Sequence, residues 1–430
     1  MPFFKKEHRG PLLPDLRHTQ LESPANGVTL RESKPNEKLR HGNNAFTVGG
    51  SDYKISQTIL NGGMGIVYRA EKTTGEGPKR LIIKQSSFVI DEALVNAPDT
   101  VEAFVSHWEK NSPRIRDQKL RAEAFSGYVL GGIKDVGLVE EVKKHILGKT
   151  SVAEMEKGLK TFCESDIAKQ VHEKLRRQEA EFVREYAILR FLSEKGVEHV
   201  PHVYDAMVRM KTPSSTEAHP MYNYYFAQEE AKGESVVSYY NRGGRLLEGD
   251  VIRIGLKLGK TLEHMHELGV IHRDITYNNV FIYMNDEGKI DMSLLIDFGT
   301  AVAPEYKGTQ TPAFEALSKN PELIKRNLKP NDFVGIGTEG FMAPEVGKIL
   351  TRGADTFGLG RLIFFMMTDQ DPAGHPEDFA KQLGQTVMSP QLKEIIRQAT
   401  QPLYTQRMYV DELVDQLDAY RKPQASRRSS

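Results

Sequence analysis

The stretch GVIHRDITYNNVFI, residues 269–282, decides how the rest of the chain is read. Asp274 closes a His-Arg-Asp triplet, and Asn279 stands five positions later. A carboxylate in such a loop can orient a hydroxyl and take its proton. An asparagine carbonyl close by suits a hard cation such as Mg²⁺. Thr276, two residues after the aspartate, brings a hydroxyl and no charge. On its own the segment is a hint, and its meaning rests on what stands around it.

Four other segments bear on it. LLIDFGTA, residues 294–301, sets Asp297 straight after three aliphatic residues. A carboxylate there is costly to bury unless it is paired or binds metal, which makes Asp297 a Mg²⁺ ligand candidate. LNGGMGIVYRA, residues 60–70, places Gly62, Gly63 and Gly65 between two strand-like runs, where a backbone without Cβ atoms can approach phosphate oxygens. Alone, such glycines more often just make a hairpin turn. Lys84 ends the apolar run LIIKQ, and a single strand lysine is commonly an edge or snorkelling residue. FVREYAILRFL, residues 182–192, carries Glu185 on a helical pattern, with Glu181 one turn earlier on the same face.

Bulk properties narrow the class. Lysine plus arginine equals aspartate plus glutamate, 58 each in 430 residues, so no overall field favours nucleic acid or an anionic membrane. The single cysteine, Cys163, excludes an internal disulfide framework and a cysteine-built zinc site. No apolar run approaches a membrane span, and the first residues lack a signal-peptide core, so a cytoplasmic protein is expected.

Five prolines among residues 1–48, with charges of both signs, predict a disordered or loosely docked arm. From 49 a domain is expected to run to 420, with a small lobe over 49–230 and a large lobe over 231–420, followed by a flexible tail over 421–430. YKISQTIL, IVYRAEK, RLIIKQ and later MYNYYFAQEE read as strands of an antiparallel sheet. A helical insertion of about 86–178 interrupts them. Val101, Phe104, Val105 and Trp108 fall on one helix face, as do Val152, Met155, Leu159 and Phe162, and Ser151 with Glu154 forms a capping box. A further helix over roughly 175–195 carries Phe182, Tyr186 and Leu189. The remainder is mostly helical. The fold class is therefore α+β and bilobal, with a cleft expected between the lobes.

Taken in order, the glycine-rich turn, the strand lysine, the helix glutamate, HRD with its asparagine, DFG and MAPE (342–345) resemble the eukaryotic-like (Hanks-type) bacterial serine/threonine protein kinases, and the NGGMGIVYRA wording is similar to theirs. The resemblance runs over roughly 51–420. It implies a protein kinase fold, ATP and Mg²⁺ as cofactors, a protein substrate and possible self-phosphorylation. Lys84 would hold the α- and β-phosphates, braced by Glu185 with Glu181 as the fallback. Asp274 would be the catalytic carboxylate, and Asn279 and Asp297 the Mg²⁺ ligands. Leu60, Gly62, Gly63, Gly65, Val67, Ile82, Glu229, Ala231 and Phe281 would border the nucleotide. Thr276 and Thr338 would position the substrate. Thr309 and Thr311 are the phosphorylation candidates of the activation segment, 297–345, with Arg273 to grip the phosphate. Glu345 would pair with Arg407, and Asp355 would hold the catalytic loop's backbone. His264 and His266 read as helix residues rather than metal ligands.

Three positions depart from the family pattern. Leu60 replaces the first glycine of the phosphate turn, and Ile82 adds bulk where alanine is usual. Gln228 stands near the expected gatekeeper position. Thr276 replaces a lysine, and losing that charge-assisted contact would remove about 1.5–3 kcal/mol, roughly 10- to 100-fold in rate. These departures favour a pseudokinase or scaffold, whereas Lys84, Glu185, Asp274, Asn279 and Asp297 together favour an active enzyme. A small-molecule kinase on the same fold is the third reading; Arg273 and the GT…APE segment argue for a polypeptide substrate instead. The insertion holds no motif tied to chemistry. It abuts the Glu185 helix in sequence, where it could set that helix's position.

Overall fold

Tyr53 and Ile55, Tyr68 and Ala70, and Leu81 and Ile83 each stand two residues apart and share one core, and the sheet follows from that alternation. The computed structural model describes residues 45–48, 51–62, 65–73, 80–86, 101, 105, 108–109, 117–132, 136–204, 208–211, 222–305, 311–320, 323 and 337–428. The chain divides into two compact units, Met1–Gln178 with Asp205–Ala227, and Glu179–Tyr204 with Gln228–Ser430.

In the first unit, β1 (Ala45–Val48), β2 (Ser51–Gly62), β3 (Gly65–Lys72), β4 (Arg80–Gln85), β5 (Val208–Lys211) and β6 (Tyr222–Glu229) form one sheet in the order β1-β2-β3-β4-β6-β5. Tyr53, Ile55, Tyr68, Ala70, Leu81, Ile83, Tyr225 and Ala227 make its core. β3 and β4 pair antiparallel with Val67 opposite Lys84 and Arg69 opposite Ile82. Because strand side chains alternate, those four residues share the other face of the sheet.

Between β4 and β5 the described residues include the helices α1 (Gln118–Gly132), α2 (Val136–Ile146), α3 (Val152–Cys163) and α4 (Asp166–Glu194). Val152, Met155, Leu159 and Phe162 are buried as their spacing predicts. They join Val101, Val105, Trp108, Phe125 and Val142 in a separate apolar core, each large side chain contributing about 1.5–3 kcal/mol. Trp108 meets Phe125 edge-on at 4.9 Å between ring centres. Ser151 caps α3 by accepting the Glu154 N–H at 3.3 Å. The Glu154 carboxylate accepts the Thr150 N–H at 2.9 Å, so the return half of the box reaches one residue earlier than a capping box would. α4 begins at Asp166, not near 175. Its first turns, KQVHEKLRRQEAE, carry few apolar residues to mark a periodicity, yet Lys, Gln, Glu, Arg and Ala are strong helix formers.

In the second unit, the later part of α4 buries Phe182, Tyr186 and Leu189. A three-stranded sheet, β7 (Glu234–Ser235), β8 (Val280–Met284) and β9 (Ile290–Leu295), and helices α5 (Val236–Asn241), α6 (Glu248–Leu268), α7 (Pro312–Ser318), α8 (Gly353–Thr368), α9 (Pro376–Gly384), α10 (Pro390–Ala399) and α11 (Val410–Arg428) complete it. α6 packs against α8 and α11. α11 runs to Arg428, taking in most of 421–430 even though Pro423 cannot donate a backbone bond. Among the described residues no helix is long and apolar enough to cross a membrane.

Candidate active site

The loop that carries Asp274 is held at both ends and from below. α6 ends at Gly269, whose φ of 87° is the left-handed cap that frees the chain to turn. Ile271 then bridges Val302, with N–H···O distances of 2.9 Å in both directions. From below comes Asp355 of α8, which is wholly buried. Its carboxylate accepts the backbone N–H groups of His272 (2.9 Å) and Arg273 (2.6 Å), and His266 Nε2 lies 2.8 Å away. Burial pushes the Asp355 carboxyl upward, but the pull of His266, His272 and the Arg273 N–H overrides it and leaves the group below its ordinary value. α8 can approach this closely because of Gly358, where an added Cβ would lie 2.9 Å from both the Cβ and the backbone oxygen of Ile275. The expected role of Asp355 is therefore seen directly. His266 is a partner that sequence reading passed over; its signal was a buried stripe position in α6 that an aliphatic residue could have filled.

Within the loop, Arg273 takes a φ of 72°, a backbone state uncommon outside glycine. His272 is buried against Phe298, 4.6 Å between ring centres, and its Nδ1 accepts the Asp274 N–H at 3.3 Å. Burial, opposed by Asp355, Asp274 and Asp297, sets its pKa below the usual histidine value, so the ring is neutral at neutral pH. Thr276 is wholly buried and its hydroxyl accepts the Asn278 N–H at 3.3 Å. It closes the turn that delivers Asn279.

Asp274 collects the donors. Thr338 gives its N–H (3.0 Å) and its hydroxyl (2.9 Å) to Oδ1, and Asn279 Nδ2 gives to Oδ2 (2.8 Å) and to the Asp274 carbonyl (2.9 Å). With Nδ2 so committed, Asn279 Oδ1 is the end of the amide left to meet a cation. The Asn279 carbonyl accepts the Ile296 N–H at 2.8 Å, which fastens the residue before Asp297 to the same loop. Asp297 is half-buried with φ 64°, and its Oδ1 lies 3.4 Å from the Gly299 N–H. Thr300 Oγ1 donates to the His272 carbonyl at 2.9 Å. One carboxylate and one amide oxygen fit Mg²⁺, which keeps several waters and takes one or two protein oxygens together with phosphate. Among the described residues no cluster of three or more His, Cys, Asp or Glu forms a metal cage.

The other predicted positions divide between the units. In the first, Lys84 and Val67 are partly exposed on the same sheet face as Ile82, while Leu60 pairs with Val67 and Gly62 with Gly65 at the hairpin's end. Gly63 lies outside the described residues, as does Thr309. In the second, Glu185 is 5% exposed and Glu181 8%. Gln228 is buried and bridges Val203. Glu229 donates its N–H to the His202 carbonyl at 2.8 Å. Ala231 and Phe281 are half-buried, Phe281 opposite Ser235 in the β7–β8 pair. Thr311 caps α7, its hydroxyl accepting the Phe314 N–H at 3.2 Å. Glu345 and Arg407 form the expected buried ion pair, with 2.6 and 3.0 Å contacts.

A loop aspartate gathering hydroxyl and amide donors, with a second aspartate and an amide oxygen fit for Mg²⁺, is the set of groups that phosphoryl transfer uses. The chain belongs to the protein kinase domain family, whose model matches residues 142–429. The match opens within α2, so β1–β4 and Lys84 precede it. The chain is 27% identical over 175 residues to "Probable serine/threonine-protein kinase zyg-1" of Caenorhabditis elegans, covering 40% of this chain and 21% of that protein. It is 29% identical over 151 residues to serine/threonine-protein kinase PknA of Nostoc sp. (35% and 23%). It is 26% identical over 168 residues to human ribosomal protein S6 kinase alpha-1 (36% and 20%). The chain thus spans about a fifth of the length of each, and animal and bacterial kinases match alike.

Proposed function

We propose that this chain is a serine/threonine protein kinase that moves the γ-phosphoryl group of ATP to a protein hydroxyl, its own included. The observation that carries the reading is the Asp274 carboxylate, which already holds a hydroxyl, that of Thr338, at 2.9 Å. A substrate hydroxyl entering beside it would lose its proton toward Asp274 as its oxygen bonds to the γ-phosphorus. The bond from that phosphorus to the bridging oxygen would break, releasing ADP. Asn279 and Asp297 would hold Mg²⁺, which neutralises phosphate charge when bound. Lys84 is assigned to the α- and β-phosphates, Glu185 to bracing it, and Thr338 to positioning the substrate. The serine/threonine preference is supported by the printed names of the three relatives. A bacterial Hanks-type affiliation rests on the wording NGGMGIVYRA, and a cytoplasmic site of action on composition.

The test is incubation of the purified chain with Mg²⁺ and γ-labelled ATP, alone and with a generic basic protein, beside Lys84→Ala and Asp297→Ala. Label on serine or threonine that both substitutions remove is the expected result. A chain that binds ATP yet labels nothing would support the scaffold reading instead.

A further inference from the structure

Arg361 interrupts the apolar run GLGRLIFFMM, residues 358–367 of α8, and is wholly buried. An aliphatic side chain would fill that position without the cost of taking a guanidinium out of water. Its Nε is buried with no hydrogen-bond partner, so full polar matching does not explain the choice of residue. Nη1 donates to the Ala373 carbonyl at 2.5 Å, and the guanidinium lies over the rings of Phe379 (3.6 Å to the centroid) and Phe357 (4.7 Å). Ala373 belongs to the link between α8 and α9, residues 369–375. Gln382 of α9 grips the same link: its Oε1 accepts the Ala373 N–H at 2.9 Å, and its Nε2 donates to the Asp371 carbonyl at 2.9 Å. Both polar groups of the Ala373 backbone are therefore fixed by side chains of the two flanking helices.

Pro372, between those contacts, meets the turn that carries Thr338. A Cβ added at Gly340 would lie 2.6 Å from the Pro372 carbonyl oxygen, and Gly340 has a φ of 83°, so only glycine fits there without displacement. A Cβ at Gly374 would sit 3.6 Å from Glu339 Oε1, so the link lies against both residues 339 and 340. The Thr338 carbonyl closes the turn by accepting the N–H groups of Phe341 (3.1 Å) and Met342 (3.0 Å). Thr338 in turn gives its N–H and hydroxyl to Asp274. Direct contacts thus run from Arg361 and Gln382, through residues 371–373 and Gly340, to the Asp274 carboxylate, all within the second unit.

We infer that Arg361 and Gln382 are positioning residues for the protein substrate, clamping the α8–α9 link so that its Pro372 carbonyl seats the 338–342 turn beside Asp274. The inference rests on the kinase reading above. Both residues act through Gly340 and Thr338.

The test uses the full chain and a basic protein substrate. Steady-state transfer from Mg-ATP is measured with each substrate varied, for the parent, Arg361→Met, Gln382→Ala, Gln382→Glu, Gly340→Ala and the Gly340→Ala/Gln382→Ala double variant, beside thermal melts. Arg361→Met and Gln382→Ala should each lower kcat/KM for the protein by about tenfold, the effect of losing one or two hydrogen bonds, with KM for ATP unchanged. Arg361→Met should keep or exceed the parent's Tm, because an apolar side chain replaces a buried cation. Gln382→Glu keeps the acceptor for the Ala373 N–H and loses the donor to Asp371, so its rate should fall between those of the parent and Gln382→Ala. Gly340→Ala forces turn and link apart and should lower the same parameter; adding Gln382→Ala to it should cost less than the product of the two single effects. The parent's kcat/KM in both Arg361→Met and Gln382→Ala overturns the inference. So do single effects that multiply independently in the double variant, or a KM for ATP that rises as much as that for protein. Should Arg361→Met fail to fold, Gln382→Ala and its coupling to Gly340→Ala decide alone. A parent chain that transfers no phosphate overturns the kinase reading itself, a result distinct from variants that match an active parent.

Discussion

Residues 101–168 and residues 266–407 both hide side chains from water, and they hide different kinds. The first region buries Val101, Trp108, Phe125, Leu159, Phe162 and their neighbours, an apolar core whose content is volume and shape. The second buries Asp355, His266, His272, Arg273, Glu345 and Arg407 among its aromatic and aliphatic residues. Buried charge is costly unless it is met, and here Asp355 and the Glu345–Arg407 pair are met by partners that position something. Asp355 fixes the backbone ahead of Asp274; Arg407 ties Glu345 to the Gly353, Gln401 and Pro402 carbonyls. The contrast separates a core that only has to fill space from one that has to hold atoms still for chemistry.

That contrast can be broken experimentally. The largest stability effect is expected from Glu345→Gln, which leaves Arg407 charged and buried without its carboxylate; a loss of ~3–5 kcal/mol should appear in urea unfolding. A loss below 1 kcal/mol would mean that the pair is not a working part of the second core. Leu159→Ala should cost ~2–5 kcal/mol in the insertion's core, with faster hydrogen exchange concentrated in residues 101–168. Exchange that quickens equally through α6 and α8 would contradict a separate apolar core. Thr311→Ala removes an N-cap and should cost about 1 kcal/mol, read as a small fall in Tm. The smallest signal belongs to Cys163. Burial, with the Glu164 charge adding, pushes its thiol up to about 12. At pH 8, below that value, it stays protonated, so iodoacetamide should label it slowly in the native chain and fast after unfolding. Rapid native labelling would show that core opening readily.

The same difference explains how much the sequence disclosed. Asp274, Asn279 and Asp297 stand in short motifs whose residue types and spacing point to their chemistry, whereas Asp355, Glu345 and Arg407 follow from the family resemblance that those motifs carry. The insertion shows itself mainly as periodicity, and over the first turns of α4 polar residues break that pattern, so the helix starts earlier than its apolar spacing indicates. Thr311-Pro312 is a readable start signal, an N-cap followed by proline at the first helical position, and α7 begins there. Glu181 was visible as a residue on the Glu185 face. Its burial was not, because glutamate is usually exposed and only the tertiary fold supplies the Arg184 and Arg273 charges that oppose the cost of burying it. Thr276 was readable as a missing charge, but not as the wholly buried residue that closes the loop's turn.

Under the proposed function, Asp274, held by Asn279 and Thr338 over the Asp355 network, is the group around which phosphate is transferred. The most direct measurement compares steady-state transfer rates and thermal melts of the parent chain and Asp274→Asn, which keeps the side chain's size and removes its basicity. A rate lower by roughly 10²–10⁴-fold is expected, with a fall in Tm no larger than the loss of one hydrogen bond gives, because the new NH2 group faces a donor on either side of the carboxylate. Transfer by Asp274→Asn at the parent rate would contradict it.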